Sequence, residues 1–189
     1  MIAADLHLHS KYSDGLLSPA DIVKMGAQKK IKALSLTDHD TLQGTPEFET
    51  ACSEENIKPI SGVEITTLYM GIEVHILGYG MSVSTNTANM HSILSKNWLA
   101  HEKRAKMIIN RIASEYSPFP CYRQFDTRFR NPVSPYLSTS AIAKGIIALK
   151  GNEFYFTELA NLKRFTIAAN KKLNQNDWLS VQTAISLIQ

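Results

Sequence analysis

The sequence predicts an α/β fold with a parallel sheet in its N-terminal part, and three observations carry the prediction. Apolar runs of strand length at 2–9, 33–37 and 59–67 alternate with two helix-length amphipathic segments. The runs carry polar or ionisable residues at or near their ends, as strands do where their C-terminal ends build a site. The composition, 44% hydrophobic and 20% charged over 189 residues, is that of a globular chain with room for one domain.

The first run ends in Asp5-Leu6-His7-Leu8-His9-Ser10, with Ser13-Asp14-Gly15 close behind. Strand side chains alternate with period two, so His7 and His9 share a face, and the turn-like Ser-Asp-Gly brings the Asp14 carboxylate to the same edge. Ser18-Pro19-Ala20-Asp21 marks a helix start, with Ser18 as cap, Pro19 at the first helical position and Asp21 in an acidic first turn; the helix runs to about Lys30. Ala33 to Thr37 reads as a buried strand that stops abruptly at Asp38-His39-Asp40-Thr41. Thr45-Pro46-Glu47 opens a second helix through about Glu54, and the third strand, Pro59 to Thr67, contains Glu64.

A fourth strand, Ile72 to Tyr79, carries His75 and follows too closely for a helical crossover. With Tyr69-Met70 as the loop, direct pairing sets Glu64 opposite His75; a three-residue loop would turn His75 to the other face. Met90, Ile93, Leu94, Trp98, Ala105, Ile108, Ile109 and Ile112 recur at helical spacing and predict a long helix over about 87–114 with a basic opposite face. His91 and His101 lie on it without a ligand-like partner at i+3 or i+4, and read as surface or packing residues. Residues 117–137, rich in proline, aromatics and arginine, read as a loop or small cap. A helix over 138–150 ending at Gly151, a further helical stretch within 153–172 and an amphipathic helix capped by Ser180 complete the chain.

The net charge of +3, from 20 basic and 17 acidic residues, is too even to name nucleic acid as a partner, although it permits an anionic substrate. Cys52 and Cys121 stand far apart without a Cys-x-x-Cys, so a reducing, cytoplasmic setting is expected and a thiolate zinc site is not. Neither a secretory leader pattern nor an apolar run of about 18 residues occurs, and no membrane association is expected. Gly-rich phosphate loops with lysine, Gly-x-Ser-x-Gly elbows and His-Glu-x-x-His helices are absent.

The strand ends together present His7, His9, Asp14, Asp38-His39-Asp40, Glu64 and His75. Imidazole and carboxylate donors without thiolate suit Zn²⁺, Mn²⁺ or Fe²⁺ in a hydrolytic site, where a shared glutamate bridges ions about 3.5–4 Å apart. Asp38 and Asp40 could orient His39 through its second nitrogen or cap the following helix. Arg104, Arg123, Arg128 and Arg130 are candidates for phosphate contacts, since arginine matches phosphate oxygens bidentately.

Four ordered segments, Asp5-Leu6-His7-Leu8-His9-Ser10 with Ser13-Asp14-Gly15, Leu36-Thr37-Asp38-His39-Asp40-Thr41, Gly62-Val63-Glu64-Ile65 and His75-Ile76-Leu77-Gly78-Tyr79, resemble the first four motifs of the PHP (polymerase and histidinol phosphatase) family of metal-dependent phosphoesterases. The resemblance is strong over 2–80 and weaker from Thr87 onward. Within the family it points to small stand-alone bacterial enzymes acting on nucleoside 3′,5′-bisphosphates and short RNA 5′ ends.

That resemblance implies the N-terminal part of a distorted (β/α)₇ barrel with a helical insertion. The whole chain is then one PHP domain, with a metal-site core over 1–85, an insertion over 86–175 and a helix returning to the barrel over 176–189. It implies two or three divalent metals, with His7, His9 and Glu64 on one, Glu64 and His75 on a second, and Asp14 with His39 on a third. Activated water would attack phosphorus in a phosphorylated small molecule or short nucleic acid. It also implies three later ligands, a histidine or cysteine and an Asp-x-His, that do not occur here; no histidine follows His101. An incomplete barrel, fewer bound metals, impaired hydrolysis and self-association through an open sheet edge are therefore expected. Two other readings stand beside this one. A non-catalytic binding or oligomerising module would keep the ligands as relics, and an amidohydrolase would also begin with His-x-His, although the Ser-Asp-Gly and Thr-Asp-His-Asp motifs argue against it.

Overall fold

Strand β1 (Ala4–Leu8), helix α1 (Pro19–Gln28), strand β2 (Ala33–Leu36), helix α2 (Thr45–Glu54) and strand β3 (Lys58–Tyr69) follow one another in the predicted order. They are seen in a computed structural model that describes residues 3–70, 72–80, 83–151, 153, 154, 169, 173 and 177–188. β2 lies between β1 and β3 and runs parallel to both, as two helical crossovers require. The α1 start forms as the sequence dictates: the Ser18 side chain accepts the Asp21 backbone N–H and Pro19 occupies the first turn. Ile22 and Val23 of α1, Phe48, Ala51 and Cys52 of α2, and Leu34 and Leu36 of β2 bury one another in a core on one side of the sheet. Gly26 lets α1 come down on that core, since a Cβ there would stand 2.8 Å from Leu34.

β4 (Ile72–Tyr79) pairs antiparallel with β3, but the register differs from the predicted one by two residues. Tyr69 pairs with Ile72, Glu64 with Leu77 and His75 with Thr66, and Met70 takes a left-handed φ of 51° just beyond β3. A shift of two preserves the pleat, so His75 stays on the Glu64 face, diagonal to it and not opposite. The Tyr79 hydroxyl donates to the Leu6 carbonyl at 2.8 Å, tying the last strand of the sheet to the first across one face.

Helix α3 (Val83–Glu115) is longer than its apolar repeat predicted. Its first half packs Leu94 against Val63 and Ile65 of β3, together with Leu42. Its second half packs Ala105, Ile108, Ile109 and Ile112 into a separate core with Phe125, Leu137, Ile142 and Ile146. Phe125 belongs to α4 (Tyr122–Phe129), a two-turn helix inside the stretch predicted as loop or cap. Its one fully buried residue, Phe125, offers no repeat by which the sequence could announce it. α5 (Thr139–Lys150) begins at the Ser138 cap and stops at Gly151, whose φ of 88° suits glycine. α6 (Val181–Ile188) opens with the Ser180 hydroxyl accepting from Thr183 and buries Ala184 beside Val63 and Ile65. Just before it, Leu179 forms a parallel bridge with Thr67 of β3. The helical stretch predicted within 153–172 lies outside the described residues. Among the described residues, no helix is long and apolar enough to cross a membrane, and Cys52 and Cys121 are both free thiols.

A candidate metal centre at the strand ends

Glu64 is the middle of the cluster because its own backbone is stitched to the loop that follows β2. Its carbonyl accepts from Asp40 N–H at 2.9 Å and its N–H reaches Asp38 O at 3.3 Å, so His39 and Glu64 form a parallel bridge beyond the end of β2. β1 is irregular between Asp5 and Leu8, and Thr37 holds its last residue from both directions: Thr37 N–H donates to Leu8 O, and Leu8 N–H donates to the Thr37 hydroxyl. His7 and His9 are thereby delivered onto the Glu64 face.

Four imidazoles converge on that carboxylate. The Nε2 atoms of His7 and His9 lie 2.9 and 3.1 Å from Oε2, His39 Nε2 lies 3.6 Å from the same oxygen, and His75 Nδ1 lies 2.9 Å from Oε1. The rings stand in a continuous row, with centroids 5.0 Å apart for His7 and His9, 4.6 Å for His9 and His39, and 4.8 Å for His39 and His75. Asp14 Oδ1 closes the far side, 3.3 Å from His9 Nδ1. All six residues expected as ligands are therefore brought together, in three overlapping groups: His7, His9 and Glu64; His9, Asp14 and His39; His39, Glu64 and His75.

The electrostatics follow from this crowding. Burial opposes ionisation of Glu64, yet His75, His9, His39 and His7 outweigh it and hold the carboxyl far below the usual carboxylate range. Burial likewise works against charge on His9, but Asp14 and Glu64 raise it to about 9. His75, between Glu64 and Glu73, is raised to about 10. His39 goes the other way: burial and the neighbouring imidazoles lower it despite Glu64 and Asp14.

Asp38 and Asp40 do neither of the things the sequence suggested. Asp38 turns back toward β1, accepting Ser10 N–H, the Ser10 hydroxyl and the Ser13 hydroxyl, each at 2.6 Å, which fixes the turn that carries Asp14. Burial raises its pKa against these donors. Asp40 takes a φ of 53°, which swings its fully buried carboxylate away from His39 to accept Thr66 N–H at 2.9 Å, the Asn97 amide at 2.7 Å and His101 Nε2 at 2.8 Å. Its carbonyl accepts from Trp98 Nε1 at 2.7 Å. The cap position of α2 is Gly44, which has no side chain to form the expected cap.

His101 is buried, as a packing residue would be, and is also fully partnered. It stacks on Tyr136 with centroids 4.1 Å apart, while its carboxylate partner comes from a loop 61 residues away in sequence, beyond the reach of any helix-spacing argument. Burial and the nearby Arg104 lower its pKa to about 4. His91 lies near Trp98, with centroids 6.3 Å apart.

Of the four candidate phosphate ligands, Arg104 is buried and directs its guanidinium to Glu73 and His101. Arg130 bonds Asp126 and Tyr122. Arg123 and Arg128 are exposed, the latter over the Phe129 ring. Sequence reasoning missed Glu73, whose Oε1 is 3.1 Å from His75 Nε2; the signal available was a carboxylate at i−2 of a strand histidine, on the same face by alternation. It also missed Ser140 and Tyr136, whose hydroxyls donate to the carbonyls of Asp14 and His39 and so brace the site from the helical part.

The donor set fits a divalent metal. The buried Nδ1 of His39 has no hydrogen-bond partner, and that of His9 makes none despite its nearness to Asp14, so each is a nitrogen whose lone pair, once free of a proton, a cation would use.

Comparison with known proteins agrees with this geometry. A 5′-3′ exoribonuclease of Haemophilus influenzae is 29% identical over 191 residues, covering 97% of this chain and 64% of that protein. A 3′,5′-nucleoside bisphosphate phosphatase of Chromobacterium violaceum is 37% identical over 81 residues, or 43% of this chain and 28% of that protein. A solved amidohydrolase from Chromobacterium violaceum superposes with a TM-score of 0.80 at 22% identity, over 98% of this chain and 63% of that one, which speaks to the fold. The chain thus spans less than two thirds of the length of the curated relatives it matches here. The family model for the PHP domain matches residues 5–177, from the first histidine strand through the helical part, and the chain belongs to the PHP family.

Proposed function

We propose that this chain carries a metal-dependent phosphoesterase site acting on nucleotides or short oligonucleotides. The observation that supports it is the convergence of His7, His9, His39 and His75 on the two oxygens of one buried glutamate, with Asp14 at the side.

In this reading His7, His9 and Glu64 would hold one divalent ion, Glu64 and His75 a second, and Asp14 with His39 a third. Bound divalent ions would supply Lewis acidity and a nucleophilic water near neutral pH. The protein's own part is to hold neutral imidazole lone pairs and ionised carboxylates in place. Glu64 is ionised already, whereas the raised pKa values of His9 and His75 mean that these two would have to give up a proton to a metal. Asp38 keeps the Asp14 turn at a fixed distance from His9, and the Thr37 clamp keeps β1 beside β2. Arg123 and Arg128 are open to solvent and remain available to a phosphate, whereas Arg104 and Arg130 are engaged by carboxylates. The relatives' names, a 5′-3′ exoribonuclease and a nucleoside bisphosphate phosphatase, favour nucleotide phosphoesters over other esters.

The test is metal analysis of the purified chain, paired with phosphate release from a nucleoside 3′,5′-bisphosphate and from a short 5′-phosphorylated RNA. Bound metal and turnover that His9→Ala abolishes would support the reading. No metal uptake and no turnover at any added Mn²⁺ would sink it and leave a non-catalytic module.

A further inference from the structure

One ion-pair chain leaves the metal-ligand cluster and runs into the helical part of the molecule. His75 Nε2 lies 3.1 Å from Glu73 Oε1; Glu73 Oε2 accepts from Arg104 Nη1; Arg104 Nη2 lies 2.8 Å from His101 Nδ1; and His101 Nε2 lies 2.8 Å from Asp40 Oδ2. The donor directions along it are forced. Arginine only donates, so His101 Nδ1 must accept and its Nε2 carries the proton given to Asp40. Glu73 only accepts, so the proton it meets on His75 sits on Nε2. Nδ1 faces Glu64 Oε1, 2.9 Å away and likewise only an acceptor, so without metal both nitrogens carry protons; when a cation takes the place of the Nδ1 proton, the Nε2–H held by Glu73 is the one that stays.

We propose that Glu73 is a positioning residue for the metal centre: it holds His75 as the Nε2–H tautomer, aims Nδ1 at the position shared with Glu64, and is itself held by Arg104. This rests on the metal-centre reading and adds to it a residue outside the six-ligand set. The physical basis is that a ligating imidazole is oriented and made more basic by a carboxylate on its far nitrogen. Three features make Glu73 that carboxylate. It lies two residues before His75 on one strand, so the pleat aims both side chains to one side. Arg104 cannot swing away easily, because it is buried, stands 5.1 Å from the Trp178 ring centroid and is also tied to His101. His75 comes from β4, an end strand of the described four-stranded sheet, and its side chain is a third exposed, so a brace on its far nitrogen limits its movement. The arrangement also gives Arg104 a role distinct from phosphate binding.

The experiment uses the full chain with Co²⁺ as the probe, following the binding isotherm and the visible absorption of the bound ion, alongside thermal unfolding without metal. Glu73→Ala is expected to weaken Co²⁺ at one position by about 10- to 100-fold and to change its absorption, while the position made by His7 and His9 keeps its affinity. Glu73→Gln, whose amide oxygen can still accept from Nε2, is expected to restore the absorption and part of the affinity. Unchanged isotherm and spectrum in Glu73→Ala would overturn the proposal and leave the metal-centre reading intact. Absence of Co²⁺ uptake by the unsubstituted chain would overturn both. Should Glu73→Ala fail to fold, Glu73→Gln decides alone: the unsubstituted chain's spectrum with part or all of its affinity supports orientation by hydrogen bonding, and loss equal to that of His75→Ala overturns it.

Discussion

His75 Nδ1 lies 2.9 Å from Glu64 Oε1 although the β3–β4 ladder places neither residue opposite the other. The contact is a diagonal one, and it is what lets a single carboxylate reach His7 and His9 with one oxygen and His75 with the other. Removing that carboxylate should therefore damage two of the three proposed metal positions at once, whereas removing any one histidine should damage one.

Glu64→Gln is expected to lower metal affinity by more than the roughly 10- to 100-fold typical of an outer partner, because a direct donor and its charge are both lost. Metal stoichiometry at limiting Mn²⁺ checks this. Stoichiometry equal to the unsubstituted chain's would remove Glu64 from the centre.

The metal-free chain should show a two-sided pH profile. His9 and His75 have folded pKa values of about 9 and 10, above the ordinary 6.5, so their stabilising effect is complete below 6.5 and is lost as pH rises through 9 and 10. His101 is depressed to about 4, so its neutral form favours folding above 6.5 and that contribution is lost as pH falls from 6.5 toward 4. Glu64, depressed far below 4.5, adds to the acid limb. Thermal midpoints in chelator should thus be highest near neutrality and fall on both sides. With saturating metal the alkaline fall should shrink, because metal replaces the protons on His9 and His75. A midpoint that rises steadily from pH 7 to 10 without metal would contradict the assigned ion pairs.

Asp38→Ala would leave Ser10 N–H and the hydroxyls of Ser10 and Ser13 facing a void in a buried turn. An unsatisfied buried donor costs about 1–3 kcal/mol, so a loss of about 3 kcal/mol or more is expected in urea unfolding. Metal affinity should fall with it, since Asp14 rides on that turn. A loss under about 1 kcal/mol would show that the turn holds itself.

Gly15→Ala tests the same turn from the backbone side. A Cβ there would stand 2.2 Å from the His9 carbonyl oxygen and 2.6 Å from its carbon, neither of which can rotate aside. The chain must shift, at a cost of about 1–3 kcal/mol by analogy with overpacked cores. Equilibrium unfolding measures it, and the variant should also bind metal less tightly than Gly26→Ala, whose nearest obstacle is the movable end of Leu34.

Four of the six clustered residues were legible because they sit at or beside a strand end or turn that local chemistry announces, a His-x-His pair, a Ser-Asp-Gly turn and an abrupt Asp-His-Asp after an apolar run, whereas Glu64 and His75 lie within β3 and β4. The strand order followed from the crossover helices. What local pattern could not supply was long-range partnership. Asp40 and His101 find each other across 61 residues, and nothing near His101 on its helix signals a buried carboxylate. The hairpin register depended on the chain remaining in β3 through Tyr69, the first residue of the predicted loop, and the two-residue change moved Glu64 from opposite His75 to diagonal. α4 escaped because a short helix held by one buried phenylalanine has no period to read.

Asp40 has a consequence for how this gene can change length. Apart from the Thr66 N–H, its carboxylate and carbonyl are satisfied by three residues from a single stretch of α3, Asn97, Trp98 and His101, and Asn97 in turn receives the N–H of Leu179. Insertions or deletions that move residues 97–104 by even one position would rotate those donors about 100° around the helix and strand a charge in a dry interior. Length variation among descendants of this sequence should therefore be purged within residues 97–104. The strip of helix from Asn97 to Arg104 is as much a part of the strand-end chemistry as the strands themselves.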